Sequence, residues 1–139
     1  MPFDGDPLDV TFVDGAHWTL AHELRWRDDE KHWTIVVPAG FQTDFASVPR
    51  GLWNLFPPAG RYAPAAVLHD FLYVRPQVQT DGGIWVLVSR GYADSVLRRA
   101  SGDLGVSRVT RHWMWLGVRA AGWLIWKKYR GADDASSRD

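Results

Sequence analysis

An α+β fold, with a small N-terminal antiparallel β-meander followed by three helices, is what this 139-residue sequence predicts. Three observations carry that expectation. Apolar residues recur with a period of two in the first forty residues, and past residue 63 they recur at intervals of three and four. Between the two regimes lies a stretch rich in proline and glycine with neither period. The length and the 46% hydrophobic content fit a single domain over residues 1–130, with residues 131–139 as a polar, disordered tail.

Taken in order, residues 8–13 alternate weakly. Residues 17–26 put Trp18, Leu20, His22, Leu24 and Trp26 on one side and His17, Thr19, Glu23 and Arg25 on the other, the signature of a half-buried strand. His22 on that apolar face reads as a satisfied core histidine; His17, His32 and His112 read as peripheral. After the charged turn at 27–31, Trp33, Ile35 and Val37 share one side of a strand over 32–37, closed by Pro38 and Gly40. Residues 41–60 form an ordered loop around Thr43-Asp44-Phe45-Ala46-Ser47-Val48-Pro49, and long loops in compact domains are often functional.

Pro64 suits the first turn of a helix that runs to about Tyr73 and ends before Arg75-Pro76. Asp81-Gly82-Gly83 is a turn, and residues 84–88 fit either a buried strand or the start of a helix. A second helix spans about Arg90 to Ala100 on the spacing of Ala93, Val96, Leu97 and Ala100, with Gly102 as its stop. The third spans about Arg108 to Tyr129, with Trp113, Gly117, Ala120, Ala121 and Leu124 as its apolar stripe. The first two helices are expected to be antiparallel and to carry the functional site.

The composition excludes several classes. The absence of cysteine removes a disulfide framework and any thiolate zinc site. Sixteen basic and sixteen acidic residues balance, so the whole chain offers no electrostatic argument for nucleic acid. The charge is uneven: residues 98–130 hold eight basic groups against Asp103 alone. Such a segment is usually a solvated helix face; with Trp113, Trp115, Trp123, Trp126, Lys127, Lys128 and Arg130 it also fits a membrane-surface module. The apolar run from His112 to Trp126 is shorter than the ~20 residues of a bilayer span and contains Arg119, so no transmembrane segment is expected. The first residues show no signal peptide, which points to synthesis in the cytoplasm.

The chemistry concentrates in His69-Asp70-Phe71-Leu72-Tyr73. On a helix His69 and Tyr73 share a face, with Asp70 beside them. An imidazole takes protons near neutrality, and a carboxylate holds a hard cation or orients a partner. The plainer reading is a core-bonded histidine and a local cap. Ala65 and Ala66, one turn earlier, leave room for a neighbouring helix, and Asp94 on the second helix is placed to meet His69. The alternative for Asp94 is an exposed pair with Arg90 or Arg98, worth only about 0.3–0.5 kcal/mol. Asp44 could complete an oxygen-rich cation site with Asp70, of calcium or magnesium type, or simply nucleate a turn, as could Ser47. Ser47 has no G-x-S-x-G elbow around it, and no phosphate-cradling glycine loop or zinc-protease motif occurs.

Val37-Pro38-Ala39-Gly40-Phe41, the Thr43–Pro49 block, Gly60-Arg61-Tyr62, the Ala65–Tyr73 block and Arg90 with Ala93-Asp94 together resemble the phage and prophage family known as domain of unknown function 1353, over about Trp33 to Val106. That resemblance implies a phage gene product, made in the host cytoplasm, that could be associated with the virion and with other phage proteins. The spacing H-D-x-x-Y followed by A-D on a later helix is similar to the phospholipase A-two pattern, including the cysteine-free domain of parvoviral capsids. This second likeness implies His69 as the base that activates water and Asp94 as the group holding its far nitrogen. It implies Tyr73 as a hydrogen-bonding support, Asp70 as a calcium ligand, and an ester of lipid or cell-envelope material as substrate. Only Gly60 in Pro57-Pro58-Ala59-Gly60 stands where that superfamily has a glycine-rich calcium loop. The competing expectation is a non-enzymatic virion or assembly protein in which His69, Asp70 and Asp94 form a structural polar network.

Overall fold

A computed structural model describes Phe3 and residues 10–12, 18–43 and 63–137. The elements are β1 (Val10–Phe12), β2 (Trp18–Leu20), β3 (Leu24–Asp28), β4 (Trp33–Val37), β5 (Gln42–Thr43), α1 (Ala63–Val74), β6 (Gln77–Thr80), β7 (Trp85–Leu87), α2 (Arg90–Asp103) and α3 (Arg108–Ser137). They make an α+β fold with two antiparallel sheets, ordered β1-β2-β5 and β3-β4-β6-β7.

The single strand expected over 17–26 is two strands in different sheets. A bend at Ala21-His22 interrupts the alternation, leaving Leu20, Leu24 and Trp26 buried and His22 exposed, not in the core. The bend is held by Leu20, whose N–H donates to the Phe41 carbonyl and whose carbonyl accepts from Gly40. Gly40 sits at φ 87° in the turn closed by Phe41 N–H on the Pro38 carbonyl, a conformation that favours glycine. Residues 84–88, ambiguous in the sequence, contribute β7, and β6 was not anticipated: Gln-Val-Gln-Thr carries no apolar alternation beyond the buried Val78. Asp28, at the end of β3, shapes the following turn by accepting the Glu30 and Lys31 N–H groups on one oxygen.

α1 is buried along its whole length from Ala63 to Tyr73, because its residues are apolar on every side except at His69 and Asp70. A helix apolar all round belongs inside, and polar side chains on it must find partners there. α2 starts at Ser89, whose hydroxyl accepts the Tyr92 N–H. It stops at Gly105, not Gly102. Gly105 takes φ 83° and donates to the Gly102 carbonyl while Val106 donates to Ser101, the paired bonds of a Schellman ending.

The buried side of α3 is Met114, Val118 and Gly122, with Ile125, Trp126 and Tyr129 half-buried; Trp113 and Leu124 of the expected stripe are exposed. The expected stripe is therefore not the buried one: Met114 and Val118 are as apolar as Trp113 and Leu124, and docking against α2 and α1 is what buries them. α3 also continues to Ser137, past the end expected near Tyr129, since Gly131 does not interrupt it. Of the four tryptophans assigned to a membrane face, Trp113 and Trp123 are exposed, while Trp126 packs edge-on against Tyr73 at 5.3 Å. No helix among the described residues is long and apolar enough to cross a membrane.

Candidate functional site

The centre of the helical layer is the Asp94 carboxylate, wholly removed from solvent on α2. Its Oδ1 accepts from His69 Nε2 at 2.7 Å and from the Tyr73 hydroxyl at 2.6 Å, both on α1. Its Oδ2 accepts from Arg119 Nη1 of α3 at 2.9 Å and from Arg90 Nη1 at 3.2 Å. Three helices therefore meet on one anion. Because Oδ1 only accepts, the His69 proton on this side sits on Nε2, leaving Nδ1 as the nitrogen Asp94 does not engage. Burial pushes the Asp94 carboxyl up, but the bonds from His69, Tyr73 and Arg119 outweigh it and hold the group below its usual range. Burial and the adjacent carboxylate push the Tyr73 phenol well above its ordinary value, so it stays a donor.

Local sequence explains each placement. His69 and Tyr73 are one turn apart on α1, and their rings lie 4.4 Å apart. Arg90 and Asp94 are one turn apart on α2, but this is no exposed pair: the guanidinium also donates to the carbonyls of Val118 and Arg119, tying α2 to α3. Gly122 makes room for the phenol, since a Cβ there would stand 2.3 Å from the Tyr73 hydroxyl. Arg130 Nη2 donates to the carbonyls of Tyr73 and Val74 and closes the end of α1.

The structure thus brings together His69, Tyr73 and Asp94. Asp70, nearly buried, turns to a different partner and accepts a short bond from the Thr43 hydroxyl of β5, at the start of the 44–62 segment. Asp44 and Ser47 lie outside the described residues. A calcium ion takes six to eight oxygen ligands. Among the described residues there is no cluster of three or more histidine, cysteine, aspartate or glutamate side chains that could hold a metal ion.

Several participants escaped the sequence reading. Arg119 registered only as an interruption of an apolar run, which is itself the signal: a charge within such a run needs a partner. A second buried carboxylate, Asp28, looked like part of a charged turn. It takes both Arg99 nitrogens, at 2.7 and 2.9 Å, and the Tyr92 hydroxyl at 2.8 Å, fastening α2 to the end of β3. Burial raises the Asp28 carboxyl, and the bonds from Arg99 and Tyr92 more than reverse this, leaving it at about 2.

Among known proteins, the family model described as Protein of unknown function (DUF1353) matches residues 18–118, a span that holds His69, Asp70, Tyr73, Arg90 and Asp94. No curated protein and no solved structure matches the chain.

Proposed function

The chain belongs to the DUF1353 family of proteins of unknown function, and from that premise we propose that it is a phage-encoded hydrolase of the phospholipase type, with His69 as its general base. The observation that carries this reading is the dyad itself, His69 Nε2 on Asp94 Oδ1 at 2.7 Å with the Tyr73 hydroxyl on the same oxygen. A carboxylate on one ring nitrogen fixes the tautomer and stabilises the imidazolium that forms when the other nitrogen takes a proton. In the proposed reaction the His69 imidazole takes a proton from water as the water oxygen attacks an ester carbonyl. The acyl–oxygen bond breaks, and the proton passes to the leaving alkoxide. Arg90, Arg119 and Tyr73 act on Asp94, not on substrate, and hold it ionised and fixed. The substrate class is an ester of lipid or cell-envelope material, and the protein would act with the virion or other phage proteins.

A second reading is favoured by one specific observation: His69 and Asp94 have no exposed surface. On that reading the protein is a non-enzymatic virion or assembly component, and the network is a lock between helices. Turnover of a panel of mixed phospholipids and simple esters, with calcium added or chelated, separates the two. The hydrolase reading expects turnover that His69→Ala lowers by about 10²–10⁴-fold, the usual contribution of a general base. Calcium-dependent turnover that fails in Asp70→Asn would add Asp70 as a ligand, and the same failure in Asp44→Asn would add Asp44. A wild-type protein inert on the whole panel, with His69→Ala losing about 1–3 kcal/mol of stability from unpaired buried groups, would leave only the lock.

A further inference from the structure

Away from the Asp94 network, the elbow where α2 hands over to α3 borders an open cleft of about 580 Å³. Arg98 and Arg99 reach it from α2, and Arg108 and Arg111 from the first turns of α3. Against these four guanidinium groups the lining holds one carboxylate, Asp103, which accepts the Trp26 indole N–H at 2.8 Å. Arg99 is neutralised by Asp28. Among the described residues Arg98, Arg108 and Arg111 make no ion pair. With Arg99 paired to Asp28 and Asp103 offsetting one further charge, Arg98, Arg108 and Arg111 leave the cleft a net excess of two positive charges, which focus a positive potential into it.

Two of the three groups, Arg98 and Arg111, are held, not loose. The Arg111 guanidinium donates to the Val106 carbonyl at 3.3 Å and lies where Gly102 has no side chain: a Cβ at 102 would stand 2.6 Å from Arg111 Nη1. The Arg98 guanidinium rests on the Trp115 ring at 4.6 Å, and Trp115 in turn stacks with His112 at 5.6 Å. A planar cation fixed on an indole loses less freedom when it binds than a free one. The volume lies within the usual range of small-molecule sites, about 300–1,000 Å³.

We propose that this α2–α3 cleft binds a small phosphate-bearing ligand, with Arg98, Arg108 and Arg111 taking the phosphoryl oxygens. Guanidinium forks match phosphate geometry, and a polyanion removes the mutual repulsion of the three groups. The inference is independent of the hydrolytic reading, because none of these side chains touches the His69–Asp94 network.

The test is titration of the full chain at low salt with pyrophosphate and inorganic phosphate, followed by calorimetry and by tryptophan emission, to which Trp115 reports. Acetate at matched ionic strength is the control. Pyrophosphate is expected to bind at least about ten-fold tighter than inorganic phosphate, and to weaken as salt screens the cleft. Arg108→Ala and Arg98→Ala should each weaken pyrophosphate by about ten-fold, the loss of one charge-assisted contact. Gly102→Ala should weaken it by displacing Arg111. Arg108 is exposed and makes no hydrogen bond to the described residues, so its variant keeps the fold and keeps the test decisive. Arg25→Ala, on the exposed Glu23 pair, should bind like the parent. No saturable pyrophosphate binding, or binding that Arg108→Ala and Arg98→Ala leave at the Arg25→Ala level, would overturn the proposal. So would binding confined to long single- or double-stranded oligonucleotides, which would mark a nucleic-acid surface instead.

Discussion

Replacing Gly122 by alanine should destabilise this protein, although the same change in an exposed helix normally stabilises it. Alanine exceeds glycine in helix propensity by about 1 kcal/mol. At position 122, however, the new Cβ would stand 2.3 Å from the Tyr73 hydroxyl and 3.2 Å from the ring carbon that bears it, more than an ångström inside ordinary contact for the oxygen. The hydroxyl belongs to a buried side chain and is bonded to Asp94 at 2.6 Å, so it cannot swing into water. Overpacking a filled core costs about 1–3 kcal/mol. Losing a hydrogen bond to a charged acceptor costs about 1.5–3 kcal/mol. Set against the propensity gain, the net loss is about 1.5–5 kcal/mol, or roughly 5–17 °C in melting temperature for a domain of this size. Urea unfolding followed by circular dichroism measures it. Gly131→Ala is the internal control, since nothing lies within 4 Å of a Cβ there, and it should raise stability by about 0.5–1 kcal/mol. In a Tyr73→Phe background the hydroxyl is gone, and Gly122→Ala should cost markedly less. If Gly122→Ala is as stable as the parent, or if the Tyr73→Phe background gives no relief, the close approach of α3 to Tyr73 is not what holds Asp94.

Removing the anion itself, Asp94→Ala, should cost about 3–5 kcal/mol in chemical unfolding, because it leaves Arg90, Arg119, His69 and Tyr73 facing one another without an acceptor. Acid should expose the second carboxylate. Asp28 is held at about 2 against an unfolded value of 3.8, so its stabilisation is complete above pH 4 and is lost as pH falls toward 2. The shift corresponds to about 2 kcal/mol, and Arg99→Ala should flatten this part of the stability profile; an unchanged acid limb would contradict it. Thr43→Val, which withdraws the hydroxyl donor from nearly buried Asp70, should lower stability by about 1–3 kcal/mol, checked by thermal melting at pH 7.

How much of this was legible in the sequence differs by element. The helix and strand types were readable because period depends on local geometry alone: Trp33, Ile35 and Val37 alternate, and Ala93, Val96, Leu97 and Ala100 recur on a helical face. The pairing of His69 with Asp94 was readable only as one of two alternatives, since helical spacing put Asp94 near an apolar face but could not orient the two helices and left a pair with Arg90 or Arg98 open. The division of 17–26 into two strands was not readable, because the bend is imposed by Phe41 and Gly40 from a different part of the chain. Nor was the inward face of α3, whose Trp113 stripe and Met114 stripe are equally apolar in one dimension.

By itself, then, the sequence determined the α+β class, the lack of any cysteine-based chemistry and the His69-Asp70-Tyr73 turn. Only the tertiary structure decided that Asp94 is shared by three helices, that Arg119 joins Arg90 in completing it, and that Arg98, Arg108 and Arg111 converge on one cleft. The reason is physical. Periodicity and propensity act within a few residues, whereas the neutralisation of a buried charge is settled by whichever groups packing carries within about 3 Å of it, however far apart they lie along the chain.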